Sequence, residues 1–343
     1  MTQSLLTLNI IILWCNTMKT IKDYLLPCVL LAAFVSSAQA VENATVCVQA
    51  AQAALFTGKS PIQGFNFNNC RNGSSIGDPH LTTFSGLAYD HNFPGVYRLV
   101  ELNGASDFSV LVRNVIDKAK AVSSYTITSA LKVQWAAHSL ELHRGKTAVL
   151  FIDGKKITLA NNKTQKIGTD GTVSRKNSSY FITNPAADLA ITVYAYETYL
   201  DLIVTAPNAA KTLGLLGNTI DLSLHENNGL EVLATDDATD PSLSKVNIQD
   251  LTRYVESWRV ADSGLFSYGD IAQEPDYTAK IYTLADLSDK QLKSVTNKCK
   301  SIKGDSPTFN MKSCVFDLGF GGTVFSNSVK YHQPAFISLE VMN

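Results

Sequence analysis

Between about residues 77 and 205 apolar and polar side chains alternate with period two. Phe108, Val110 and Val112 alternate with Ser109 and Arg113, and Leu131, Val133 and Trp135 alternate with Lys132 and Gln134. That spacing predicts half-buried strands, each with one face in a core. Asp153-Gly154 between Phe151-Ile152 and the run 155–159 predicts a two-residue hairpin, and the stretch 191–204 predicts a second hairpin turning near Glu197-Thr198. Several short strands with closely spaced turn signals make the expected fold mainly β, an antiparallel β-sandwich. After Pro207 come Gly214-Leu215-Leu216-Gly217-Asn218, a polar stretch to about residue 247 read as a surface loop, and a last strand-like segment at Ser257-Trp258-Arg259-Val260.

The ends follow a different period. The alanine-rich run from Val46 to Phe56 predicts a short helix. Over residues 276–300 the spacing turns helical, with Leu284, Leu287, Leu292 and Val295 on one face and Ser288 as N-cap before Gln291. The apolar run 24–35, preceded by Lys19 and Lys22 and followed by Ser37-Ala38-Gln39-Ala40, reads as a secretory signal peptide cleaved near Ala40. Pro27 and a run shorter than the ~20 residues of a bilayer span argue against a retained transmembrane anchor. The first 17 residues read as lying upstream of a true start at Met18. The expected organisation is a leader over 1–40, a helical and disulfide cap over 41–75, a sandwich over 76–262 and a C-terminal helical module with a tail over 263–343.

Cleavage would leave Cys47, Cys70, Cys299 and Cys314, an even number in an oxidising compartment and hence two disulfides. Of the three pairings, Cys47–Cys70 with Cys299–Cys314 closes the shortest loops and is the one expected. The stretch 71–298 has no cysteine, so its stability must come from buried apolar area. The 343 residues carry 29 Lys and Arg against 30 Asp and Glu, which leaves no net excess to hold nucleic acid. The histidines at 80, 91, 138, 143, 225 and 332 show no metal-ligand spacing, and His138 and His143 would face opposite sides of a strand. No G-x-S-x-G, H-E-x-x-H or P-loop occurs, which disfavours a turnover enzyme. Asn43, Asn72, Asn162 and Asn177 begin Asn-x-Ser/Thr triplets, glycan acceptors in a glycosylating host.

The segment Gly77-Asp78-Pro79-His80, continuing through Phe84-Ser85-Gly86 and Tyr89-Asp90 to Phe93-Pro94-Gly95-Val96-Tyr97, resembles the opening of a von Willebrand factor type D domain. Gly214-Leu215-Leu216-Gly217-Asn218 is similar to that family's glycine loop, and Ser257-Trp258-Arg259-Val260 to its closing tryptophan strand. Leu216 and the neighbourhood of Ser263 stand where the family usually has cysteine, so inter-chain disulfide chemistry is not expected. The resemblance implies a calcium ion held by Asn218, Asp221, Asp236 and Asp237, in a site weakened by Ser85 where an aspartate is usual, with Asn227 and Asn228 either compensating ligands or solvated loop residues. It further implies a bond, Asp78-Pro79, that some relatives cut themselves, with the Asp78 carboxyl as nucleophile and His80 as proton carrier. Plain packing is the ordinary role of the same residues. The function implied is a secreted, periplasmic or cell-surface binding and structural module for a protein or matrix partner. The alternatives are an accessory to lipid or envelope transport, and a self-processing protein.

Overall fold

The computed structural model describes residues 46–57, 69–91, 93–102, 108–116, 126–169, 171–233, 248–273, 284–303 and 311–325. The leader, Asn43, Asp236, Asp237 and the tail after residue 325 lie outside them. In chain order the elements are α1 (Val46–Thr57), β1 (Cys70–Ile76), β2 (His80–Thr82), β3 (Ala88–Asp90), β4 (Gly95–Leu102), β5 (Ser109–Ile116), β6 (Thr126–Trp135) and β7 (His138–His143). Then come β8 (Val149–Ile152), β9 (Lys155–Ile157), β10 (Lys163–Ile167), β11 (Gly171–Lys176), β12 (Ser179–Asn184), β13 (Leu189–Ala195), β14 (Leu200–Pro207) and β15 (Thr212–Leu213). β16 (Leu224–His225), β17 (Glu231–Leu233), α2 (Ile248–Ser257), β18 (Arg259–Val260), α3 (Asp289–Lys303) and α4 (Met311–Phe316) complete the set, with a π-helical turn over Asp317–Gly321.

Two antiparallel sheets result. One runs β10-β11-β12-β13-β14-β1-β2-β3; the other runs β15-β4-β5-β6-β7-β8-β9, with β18 also on β4. Their facing sides carry the expected alternation: Val110, Val112, Leu131 and Val133 from the second sheet share one buried cluster with Ile191 and Leu202 from the first. The hairpins fall where the turn residues place them. Asp153 and Gly154, both with positive φ (50° and 73°), join β8 to β9, and Tyr196 N–H donates to Tyr199 O at 2.9 Å in the turn joining β13 to β14.

Both expected disulfides are present, with Cα separations of 5.6 Å for Cys47–Cys70 and 6.0 Å for Cys299–Cys314. Cys70 opens β1, which lies between β14 and β2, so the first disulfide ties α1 to the middle of a sheet. Asp188 fixes the start of α1, its Oδ1 accepting from Cys47 N–H at 3.0 Å and Val48 N–H at 3.1 Å. Ser288 caps α3 in reciprocal bonds with Gln291. Leu287 is buried in a second cluster that the C-terminal helices share with Val115, Ile127 and Tyr199 of the sandwich, with Leu284, Leu292 and Val295 packed against it.

Two features depart from the expectation. The polar stretch from 218 to about 247 is not wholly a loop, since it contains the β16–β17 hairpin, and α2 follows it, with Tyr254 and Val255 buried beside Trp258. β5 and the first part of β6 are also buried on both faces, whereas Lys132 and Gln134 keep the expected partly exposed alternation. Residues 261–273 cross the outer face of the second sheet, where Phe266 packs with Val96, Leu111 and Ala130. Buried Arg113 donates to Asp262 Oδ1 at 3.1 Å and lies 4.1 Å over the Phe266 ring. Glu141 receives Lys132 Nζ at 3.1 Å and Ser267 N–H at 2.9 Å. Burial alone would push the Glu141 carboxyl up, but His143, Ser267 and Lys132 override it and hold it at about 2.

Candidate functional site

β1 and β2 pair through Ile76 and His80, so Gly77-Asp78-Pro79 is a three-residue hairpin turn. Gly77 supplies the positive φ of 68°. Its N–H donates to Asp201 Oδ1 on β14 at 2.8 Å, which fixes the turn to the sheet. Pro79 O accepts from His91 N–H at 3.0 Å. The turn is roofed from 237 residues away in sequence: Asp317, just after α4, brings its Oδ1 to 3.0 Å from His80 Nε2. Phe316 sets its ring edge-to-face with the His80 imidazole at 6.4 Å. A Cβ on Gly77 would meet Asp317 Oδ2 at 2.6 Å, so the glycine is needed for room as well as for φ.

Asp78, His80 and Asp317 are all buried, at 1%, 7% and 0% exposure, which puts two carboxyls and one imidazole out of water together. His80 Nε2 also contacts Asp78 Oδ1. The other Asp78 oxygen, Oδ2, has no hydrogen-bond donor. Burial first, and then the charge of Asp317, push the Asp78 carboxyl well above the usual carboxylate range, against the opposite pull of His80. The histidines lack metal spacing in sequence, yet the fold gives His80 two carboxylates in space. Among the described residues this is the one group of three or more His, Cys, Asp or Glu able to converge on an ion. The others have separate roles. His138 is half-exposed against Asp153, while His143 across the strand is buried beside Glu141. His91 is buried, takes the Asn114 amide at 2.9 Å, and is held neutral by burial, its pKa lowered to about 3.

The second expected site lies on the glycine loop. Leu215 and Leu216 N–H donate to Arg98 O and Leu99 O, while Leu216 O accepts from Phe84 N–H at 2.9 Å and Leu215 O from the Tyr89 hydroxyl at 2.7 Å. The loop therefore docks on the turn that holds Ser85. Leu216 is fully buried, and Gly73 leaves it space: a Cβ there would stand 2.8 Å from Leu216 Cδ1. The polar ligands expected for calcium are turned to other partners. Asn218 Oδ1 accepts from Ile220 N–H at 2.9 Å, Asp221 Oδ1 accepts from Ser223 N–H at 3.0 Å, and the Ser85 hydroxyl pairs with Thr83 at 2.7 Å. Asn227 N–H donates to Ser257 Oγ, and the Asn228 amide donates to Glu226. One carboxylate, Asp221, is all that the described members of this set supply. The other two carboxylates of the expected set, Asp236 and Asp237, lie outside the described residues.

Asp317 and the cover over Arg113 escaped the sequence reading. Cys314-Val315-Phe316-Asp317 stands out as a motif, but nothing local to it points at His80. Residues 73–223 match the family model described as the von Willebrand factor type D domain. No curated protein matches the chain.

Proposed function

The chain carries a von Willebrand factor type D domain over residues 73–223, and from that premise we propose that it is a secreted, non-enzymatic module that binds an extracellular or envelope protein through the free edge of its sandwich. The observation that carries this reading is β10. It is the last strand of its sheet, and its residues from Lys163 to Lys166 are exposed. The connection from β9 to β10 passes from the end of one sheet to the end of the other, so both terminal strands are consecutive in sequence. Lys155, Lys156, Lys163 and Lys166 sit on those two strands in a chain whose charges balance overall to −1. An exposed edge offers unpaired backbone groups to an incoming strand, and lysines select acidic partners. Asn162 and Asn177, the exposed glycan acceptors, flank the same edge. The test is capture of envelope or culture-supernatant proteins by the immobilised chain, compared with a Lys163→Glu, Lys166→Glu variant. A partner retained equally by both, or a bound set unchanged by salt, would remove the edge from the reading.

The turn at residues 77–79 favours a second reading, self-processing. A buried Asp78 carboxyl in contact with His80 suits attack of the Asp78 side-chain oxygen on its own carbonyl carbon. The bond to the Pro79 nitrogen breaks, a proton passes to that nitrogen, and water opens the resulting cyclic anhydride. Mass spectrometry of the purified chain tests it: a fragment beginning at Pro79 supports cleavage, and a single full-length mass after mild acid rejects it.

A further inference from the structure

Two carboxylates and one imidazole nitrogen meet at a single buried point between the β1–β2 turn and the C-terminal module. One ligand atom from each of Asp78, His80 and Asp317 lies within 4.8 Å of the other two. Ligand atoms bound at about 2.0–2.2 Å in a tetrahedral site stand about 3.3–3.6 Å apart. His80 Nε2 lies 3.0 Å from Asp317 Oδ1 and closer still to Asp78 Oδ1, so the three side chains need only open outward to take an ion between them. A second observation points to a missing partner: Asp78 is 1% exposed, and while its Oδ1 meets the His80 nitrogen, its Oδ2 has no hydrogen-bond donor.

We propose that Asp78, His80 and Asp317 bind a first-row divalent cation of the zinc type, which links the sandwich to the C-terminal module. Imidazole nitrogen with two carboxylate oxygens is a zinc, cobalt or manganese donor set rather than a calcium one. Three protein ligands leave a position for water or a further oxygen. Thiolates do not compete, because the four cysteines of the described residues are all in disulfides. The Phe316 ring against His80 shields the imidazole and fixes its plane.

The test uses the full chain with disulfides intact, free thiols alkylated and no histidine tag, stripped with a chelator and titrated with zinc and cobalt. One equivalent of zinc is expected by native mass spectrometry, with a visible cobalt absorption of nitrogen and oxygen ligation. His80→Gln and Asp317→Asn should each weaken zinc binding by at least about tenfold, and Asp221→Ala should leave it unchanged. On the unmutated chain, cobalt should broaden or shift the His80 imidazole resonance, a readout that needs no variant to fold. No zinc uptake by the folded chain, an undisturbed His80 resonance, or equal affinity in His80→Gln would overturn the proposal. The third outcome would leave a proton shared between the two carboxyls as the occupant. Intact mass on the same samples keeps this result separate from cleavage at Pro79.

Discussion

Two tight turns of this chain are built from the same residue types and end in opposite circumstances. Asp153-Gly154 joins β8 to β9 at the surface, and Gly77-Asp78-Pro79 joins β1 to β2 under the C-terminal module. Both use a glycine at positive φ, 73° and 68°. Around Gly154 nothing lies within 4 Å of a built Cβ, whereas Asp317 Oδ2 stands 2.6 Å from one on Gly77. The aspartates diverge as well. Asp153, nearly free of burial, accepts from Ser139 N–H at 2.8 Å and meets His138; these contacts outweigh its slight desolvation and lower its pKa. Asp78 is pushed the other way by burial and by Asp317. Turn chemistry is local, and the same turn becomes a hairpin end or a site according to what is packed on it.

The largest expected effect is Gly77→Ala. Left-handed φ strains any other residue, and the methyl must displace a carboxylate that is itself fully buried, so the variant should lose about 3–4 kcal/mol in denaturant unfolding. Next is release of the roof. Replacing Cys299 and Cys314 by serine opens a crosslink of sequence separation 15, worth about 3 kcal/mol by loop entropy. The loss should appear as early proteolysis after residue 284 while the sandwich still unfolds cooperatively. Combining the two substitutions sharpens the comparison. With the roof detached, Gly77→Ala should fall toward the cost of strain alone, so additive losses would mean that Asp317 is not what makes Gly77 special.

What could be read in the sequence follows the same division. Alternation around Val110 and Leu131 gave the sandwich because each strand's inner face needs only its own pattern, and Asp153-Gly154 gave its hairpin because glycine and aspartate set backbone angles locally. The spacing Leu251, Tyr254, Val255 and Trp258 held a helix that the neighbouring polar residues obscured. Asp317 could not be found this way, since its meaning comes from a contact 237 residues distant. Arg113 likewise reads as a solvent-facing position until residues 261–273 are laid across it. Two of the three residues of the candidate site, Asp78 and His80, were visible; the carboxylate that completes it was not.

At the exposed turn the effects shrink. Gly154→Ala keeps the strain and removes the crowding, so it should cost about 1 kcal/mol, and a loss as large as that of Gly77→Ala would break the comparison outright.

The smallest effect belongs to Asp153→Asn, and its sign depends on pH. Because the folded-state pKa of Asp153 lies below its ordinary value of 3.8, its contribution is present above that value and is lost as pH falls through the lowered one. Asparagine keeps an acceptor for Ser139 N–H but carries no charge for His138. The variant should therefore differ from the parent at pH 7 by well under about 1 kcal/mol, as half-exposed pairs do, and should converge with it as pH falls below the lowered pKa. Thermal melts across that range decide the matter. A gap that widens toward acid would mean the carboxylate is more stable unfolded than folded, which would place Asp153 in the company of Asp78 and erase the contrast between the turns.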